Sequence, residues 1–296
     1  MQSPRFFIGS SPSMAHELGS HHAAAGVMIS INQLLKRRSD FAVEQWLLDS
    51  GSFTQINRFG KFIMSVEDYA DLIKRWSRCG KLLRAVSMDF MCEPFIIERT
   101  GLSVTKHQQL TIANYDKLIT LVEDTQIMPV IQGYRVHEYL AHLDQYGERL
   151  KPGMWVGVGS LCKRNGNPEV IEEILASIKN KRPDIRIHGF GIKQTAIESV
   201  RVRKLLYSAD SMAYSYSRHF GDKRSEEELA RIYLDKIHAA VTDTVPKRVP
   251  VTAGAGNGQG RKPSWKAGKT KAIRVPEKFA AKLLELARQW DEEEAS

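Results

Sequence analysis

No stretch of the sequence approaches the roughly 18 consecutive apolar residues that a membrane-spanning helix needs, so no membrane span is expected. The first residues, MQSPRFFIGSSPSM, do not set a basic region before an apolar one, and no secretory signal is expected either. Cysteine is scarce: Cys79, Cys92 and Cys162 lie 13 and 70 residues apart. That is too few for a disulfide framework and lacks the paired spacing of a structural zinc site. No glycine-rich dinucleotide fingerprint follows an early apolar run. Acid is the scarcer charge, 34 Asp+Glu against 43 Lys+Arg, which leaves +9 over 296 residues. What is present, 42% hydrophobic and 26% charged residues, is the composition of a globular chain and not of a disordered one. These features suggest a soluble, cytoplasmic, basic protein with a polyanionic partner.

The excess charge is concentrated. Residues 245–271 hold seven Lys/Arg and no acid in a Gly- and Pro-rich stretch without apolar periodicity, the pattern of a flexible basic linker. Residues 272–296 carry four bases and six acids, so residues 1–244 are left with about +4. After the linker, Ile273 and Val275 alternate like a short strand, and Phe279, Leu283, Leu286 and Trp290 follow Pro276 at helical spacing. One strand and one helix cannot bury their own apolar face, so 272–296 reads as an element that docks on the body or pairs two chains into a homodimer.

Eight short apolar runs cross the body: 6–10, 27–31, 46–50, 85–90, 128–133, 155–161, 186–192 and 208–214. Helical patterns at 66–79, 105–123, 136–150, 168–180 and 195–206 separate most of them, and another at 225–241 follows the last. Strands alternating with helices imply βαβ units, and eight units in about 240 residues suit an α/β (β/α)8 TIM barrel. An open doubly wound sheet is the alternative.

In such a barrel chemistry gathers at the C-terminal ends of the strands. There the sequence sets Asp49, Asp89, Gln132-Gly133, Gly159-Ser160, Lys193 and Asp210. One aspartate at a strand end is ordinarily a cap or turn residue, but three sharing a rim with an amide are costly to bury without a purpose. Carboxylates of this kind suit chemistry at a glycosidic carbon, where one attacks, one moves protons and one holds a base edge.

Five motifs occur in chain order: DSGSF at 49–53, SMD at 87–89, VIQG at 130–133, GVGSL at 157–161 and ADSMAY at 209–214. Over residues 6–220 the chain resembles the tRNA-guanine transglycosylases, which exchange a guanine for a 7-deazaguanine on an intact polynucleotide. The resemblance implies that Asp210 is the nucleophile at C1′ and Asp49 the proton shuttle. It also implies that Asp89 binds the N1/N2 edge of the base, and that Gln132, Gly133 and the backbone near Gly159 and Ser160 hold its carbonyl. Ser50, next to Asp49, is expected to fix it. Lys163 and Arg164, with Tyr134, Arg135 and Lys193, are expected along the nucleic-acid groove, and Arg201 to Lys204 on a solvated helix face. No metal or redox cofactor is implied.

The chain departs from that family's pattern at Ser160, where bacterial members usually have a glycine that a backbone contact does not require, and in the zinc site. The tRNA enzymes have a zinc site, Cys-x-Cys-x2-Cys with a later His, after the last catalytic strand, and here no cysteine follows Cys162. A zinc-free member with a basic linker is more similar to the phage and bacterial relatives that put 7-deazaguanine derivatives into DNA. DNA is therefore the expected polymer, with tRNA as the alternative, a base such as 7-cyano-7-deazaguanine as the second substrate, and a catalytically silent nucleic-acid-binding barrel as the reading from another class. His16, His21 and His22 lie in the loop after the first strand, and are expected to be solvent-exposed or to reach the substrate.

Overall fold

The computed structural model describes residues 3–242 and 277–293. The chain divides into two units, Met1–Val245 and Pro246–Ser296. In the second, a helix spans Glu277–Glu293, where the helical spacing of Phe279 to Trp290 expects one. The linker at 245–271 and the strand expected at 273–275 lie outside the described residues.

The first unit is a barrel of parallel strands: β1 (Arg5–Gly9), β2 (Val27–Ser30), β3 (Gln45–Asp49), β4 (Lys81–Val86), β5 (Ile127–Met128), β6 (Val130–Ile131), β7 (Trp155–Val158), β8 (Arg186–Gly189) and β9 (Ser208–Ser211). They lie in the order β5-β4-β3-β2-β1-β9-β8-β7-β6. Nine strands stand where eight runs are expected because Pro129, which has no N–H to give the ladder, splits the fifth run. Its first half pairs with β4 through Ala85↔Ile127, and its second with β7 through Val130↔Gly157. The sheet therefore begins and ends on the two halves of one run, and Pro129 closes the ring covalently.

Period-two alternation sorts the side chains. In β1, Phe6 and Ile8 face the helices, whereas Phe7 points inward with Met28, Leu47, Val86, Met128, Val130 and Trp155. Inward and outward layers are both almost fully buried, so the strands read as continuous apolar runs, as parallel barrels require.

Several boundaries differ from expectation. The fourth strand runs over Lys81–Val86, not 85–90, so Asp89 sits in the loop three residues beyond it. The helical pattern at 195–206 is two helices, Gln194–Ile197 and Val200–Leu205, because the Ser199 hydroxyl accepts from the Val202 N–H and starts a new helix. Within the second, Arg203 is buried and donates to the carbonyls of Ile197 (3.0 Å) and Ala240 (2.7 Å), so this part of the basic run holds the last barrel helix instead of facing solvent. Short helices at Ser52–Phe59 and Pro94–Thr100 have no counterpart in the apolar pattern, and both build the rim of the site.

Candidate active site

The C-terminal ends of the strands surround a cavity of about 250 Å³ whose walls include Asp49, Asp89 and Asp210. Gln132, Gly159 and Ser160 line it as well, with Phe53, Phe190, Met212 and Glu93.

Asp49 is the last residue of β3. The chain then turns through Gly51, whose φ of 71° is open to glycine at little cost, and the Gly51 N–H comes back to Asp49 Oδ2 at 3.1 Å. The same turn is clamped from behind by Asn32, which donates to the Gly51 carbonyl at 3.1 Å. Burial lifts the Asp49 carboxyl to about 7, helped by the negative charges of Asp89 and Asp210 and opposed by hydrogen bonds from Ser30 and Gly51. Ser50 is bonded differently from expectation: it is fully buried, 2.7 Å from the Ser52 hydroxyl and 3.5 Å from Asp89 Oδ1.

Asp89 lies in a fully networked corner. Ser52 Oγ donates to its Oδ1 at 2.8 Å, and the Gln132 amide donates to Oδ2. Burial raises the Asp89 carboxyl above the ordinary range, while these donors work in the other direction. Gln132 itself is locked. Its N–H donates to His142 Nδ1 (2.8 Å), its carbonyl accepts from Gln108 (2.8 Å), and its Oε1 accepts from the Ser160 hydroxyl (2.9 Å). His142 can accept because burial pulls its imidazole down to about 4, which keeps it neutral. Gly159 is a glycine because the Gln132 amide occupies the space a Cβ would take.

The Gly159 N–H is committed to the Ile131 carbonyl at 3.0 Å. The neighbouring Ser160 is the one non-glycine with positive φ (58°) among the described residues, and among those residues nothing accepts from its N–H. Backbone held in that region by its surroundings is common where a main-chain group is aimed at a ligand. Gly133 lies behind the site, its Cα pressed on the first turn of the helix at Val136–Tyr146 with only 2.8 Å from an ideal Cβ to the Tyr139 nitrogen.

Asp210 projects inward from β9 on the opposite wall. Its Oδ1 accepts from the Gly191 N–H (3.1 Å) and meets His188 Nε2 at 3.2 Å. Sequence reasoning misses His188, Ser52 and Glu93. Ser52 is detectable as the second hydroxyl of DSGSF, at the first turn of a helix. His188 is detectable because Ile187 must face the helices, which leaves a polar ring at an inward position. Glu93 follows Asp89 by four residues, and its signal is weak. It is 2% exposed, burial raises its carboxyl, and its Oε2 has no hydrogen-bond partner.

The basic residues divide into two groups. Lys163 and Lys193 are exposed at the rim, Lys163 over the Phe53 ring (5.6 Å) and Lys193 over Tyr216 (5.8 Å). Arg164, by contrast, lies over the Tyr134 ring at 4.1 Å and donates to the Tyr134 carbonyl, and the N–H groups of Tyr134 and Arg135 both donate to Glu138. That second group holds the loop after β6 together.

The histidines at 21 and 22 lie away from the cavity. They meet Asp235 of the last barrel helix, His21 at 3.4 Å and His22 at 3.9 Å, and border a depression with Arg5, Glu44 and Gln45 at the N-terminal ends of β1 and β3. With Asp235 they are the one His/Cys/Asp/Glu cluster of metal-holding dimensions among the described residues. The three cysteines are free and dispersed: Cys79 in the helix–sheet core, Cys92 under Ser160, and Cys162 at the cavity wall.

Comparison with known families assigns the chain to one of them. The family described as DpdA, DeoxyPurine in DNA protein A, matches residues 12–223, which include all three aspartates. The chain belongs to the DpdA family. DpdA is a DNA-guanine transglycosylase family within the tRNA-guanine transglycosylase superfamily, so the resemblance drawn from the five motifs holds at family level. No curated protein matches the chain. Among the described residues of this DpdA-family protein no helix is long and apolar enough to cross a membrane.

Proposed function

We propose that this DpdA-family protein exchanges a guanine in DNA for a 7-deazaguanine base, such as 7-cyano-7-deazaguanine, by double displacement through a covalent aspartyl-glycosyl intermediate. The observation that carries the reading is the convergence of Asp49, Asp89 and Asp210 on one cavity in a chain of this family.

The target nucleotide leaves the stack to enter the cavity, since a barrel mouth cannot reach a base inside a duplex. Asp89 takes the N1 and N2 donors of the purine, and Gln132 and the free Ser160 N–H face its carbonyl oxygen. A carboxylate oxygen of Asp210 forms the bond to C1′ as the C1′–N9 bond breaks and its electron pair leaves with guanine. Asp49 gives the departing base a proton and later takes one from the incoming base, whose nitrogen displaces Asp210 and restores its carboxylate. Two inversions retain the configuration at C1′. A carboxyl near 7 suits both halves of that exchange, because it gives and takes a proton with little penalty at neutral pH. Glu93, with an unpartnered buried oxygen at the cavity wall, is placed to read the base's 7-substituent.

The exposed pairs Lys163–Phe53 and Lys193–Tyr216 offer cations for phosphates and rings for the flanking bases. The linker at 245–271 adds a tethered polycation, and the helix at Glu277–Glu293 serves as a docking or dimerising element. The working location is the cytoplasm, that of the host where the gene is a phage's.

Incubation with an isotope-labelled 7-deazaguanine and DNA or tRNA, followed by digestion to nucleosides and mass spectrometry, tests the reading. Label in deoxynucleosides is expected. Label in tRNA alone would make the polymer wrong, and label in neither would favour a barrel that binds nucleic acid without altering it.

A further inference from the structure

Behind Asp210 runs a chain of hydrogen bonds that starts at a group able only to donate and ends at a carboxylate able only to accept. Trp155 Nε1 lies 2.6 Å from Ser208 Oγ, Ser208 Oγ lies 2.9 Å from His188 Nδ1, and His188 Nε2 lies 3.2 Å from Asp210 Oδ1. An indole nitrogen can only donate, so Ser208 accepts from Trp155 and has its single proton left for His188. The Asp210 carboxylate can only accept, so Nε2–H donates to it, and in the neutral ring Nδ1 then accepts from Ser208. His188 and Ser208 are both fully buried, and the imidazole is wedged among Phe190 (4.8 Å), Trp155 (6.2 Å) and Phe7 (6.4 Å), so the ring has no room to turn.

The far end of the chain is equally specific. His188 Nε2 and the Gly191 N–H both meet Oδ1 of Asp210. Among the described residues nothing donates to Oδ2, and Asp210 lines the cavity.

We infer that His188 is a positioning residue: oriented by Trp155 and Ser208, it holds Oδ1 of Asp210 and so selects Oδ2 as the oxygen that bonds C1′. The inference rests on the reading of Asp210 as nucleophile. No proton leaves His188 in the cycle. In the first half-reaction an Oδ2 lone pair forms the C1′–O bond while the C1′–N9 bond breaks, and the guanine takes up the proton of Asp49. In the second, the C1′–Oδ2 bond breaks and its pair returns to Asp210, where negative charge reappears on a group whose Oδ1 already faces two N–H donors. Both halves benefit from the same anchored oxygen, which stabilises charge without reorganising.

The test has one arm that reads structure and one that reads chemistry. In the full-length protein, 15N NMR of the His188 ring should show the Nε2–H tautomer, and Ser208→Ala should turn it into a mixture of tautomers. His188→Phe should lower kcat by about tenfold to a hundredfold, the cost of a nucleophile no longer held in line, with the KM for the free base unchanged within about threefold. His188→Gln, whose amide can donate from nearly the same place as Nε2, should recover most of that loss. A role in packing alone would make Phe the better replacement and Gln the worse. An Nδ1–H tautomer in the unaltered protein, or His188→Phe turnover within about threefold of normal, would overturn the inference. A protein with the expected tautomer that alters neither DNA nor tRNA would instead overturn the proposed reaction and leave the hydrogen-bonded chain standing.

Discussion

At the N-terminal end of the barrel Arg5 and Arg84 stack on the Trp155 ring at 5.4 and 5.3 Å, and Arg186 stacks on Tyr207 at 5.1 Å. At the C-terminal end Asp49, Asp89 and Asp210 share one cavity. The same sheet thus presents cations to one mouth and carboxylates to the other. The cations have aromatic faces to lie on, burial together with neighbouring arginines lowers the Arg84 guanidinium, and the inward Phe7 and Trp155 close the barrel at that end. The carboxylates meet mostly hydroxyl, amide and backbone donors, which orient them without neutralising them. The closed end serves stability; the open end keeps like charges together at a cost, as functional sites commonly do.

Four variants would break or sharpen that contrast. The largest effect is expected for Asp210→Asn, which should remove the covalent adduct, seen by mass spectrometry of the trapped protein–DNA complex, and cut turnover by on the order of 10³ or more while leaving the fold intact. An adduct that persists would move the nucleophile elsewhere.

Next in size, Asp49→Asn should slow exchange by about 10²- to 10⁴-fold and yet stabilise the protein at high pH. The sign follows from the raised carboxyl. A group lifted from 3.8 to about 7 favours the fold below 4, and that advantage is lost as pH rises through 7. Above pH 7 the folded state holds a buried charge that asparagine does not have, at a cost of up to about 4 kcal/mol. Denaturant midpoints of the two proteins at pH 5 and pH 8 measure this, and an advantage for asparagine that does not grow with pH would contradict it.

Neutralising the seven Lys/Arg of 245–271 should weaken DNA binding and flatten its salt dependence, by roughly 0.9 in log–log slope for each phosphate no longer neutralised, with turnover at saturating DNA unchanged. Fluorescence anisotropy across a salt series reads the slope. A fall in saturated turnover would assign the linker to the active architecture. The smallest effect belongs to the closed end. Arg84→Met should shift stability by no more than about 1 kcal/mol, since it gives up a cation–π attraction but relieves the crowding of three arginines, and should leave exchange untouched. A catalytic defect there would mean that the two ends are coupled.

Much of this architecture is legible in the chain. Runs such as Trp46–Asp49 and Trp155–Val158 are short, apolar and bounded by turn residues, so they announce strands whatever they pair with. A polar residue at the end of such a run reads as rim, and Asp49, Gln132, Gly159 and Asp210 do line one cavity. Asp89 reads as rim too, but from the wrong element, because Ser87-Met88 looks like strand although β4 ends at Val86, with the Ser87 N–H to the Met128 carbonyl as its last bond to β5. Arg164 and Lys163 are adjacent and alike in sequence. Only the fold bends one onto Tyr134 and leaves the other at the rim over Phe53.

Local chemistry therefore settled which residues form strands, which ends carry acid, and where the basic excess lies, because those depend on periodicity and composition over a few residues. Tertiary structure decided who faces whom. Closure through Pro129 brings β6 against β7 and so sets Gln132 over Gly159, commits the Gly159 N–H to Ile131, and leaves that of Ser160 without an acceptor among the described residues. Pairing of β8 with β9 makes His188 the partner of Asp210. Hydrogen bonds such as Gln132 to Asp89 and His188 to Asp210, between residues 43 and 22 positions apart, leave no periodic trace, and it is these that fix the two carboxylates in the cavity wall.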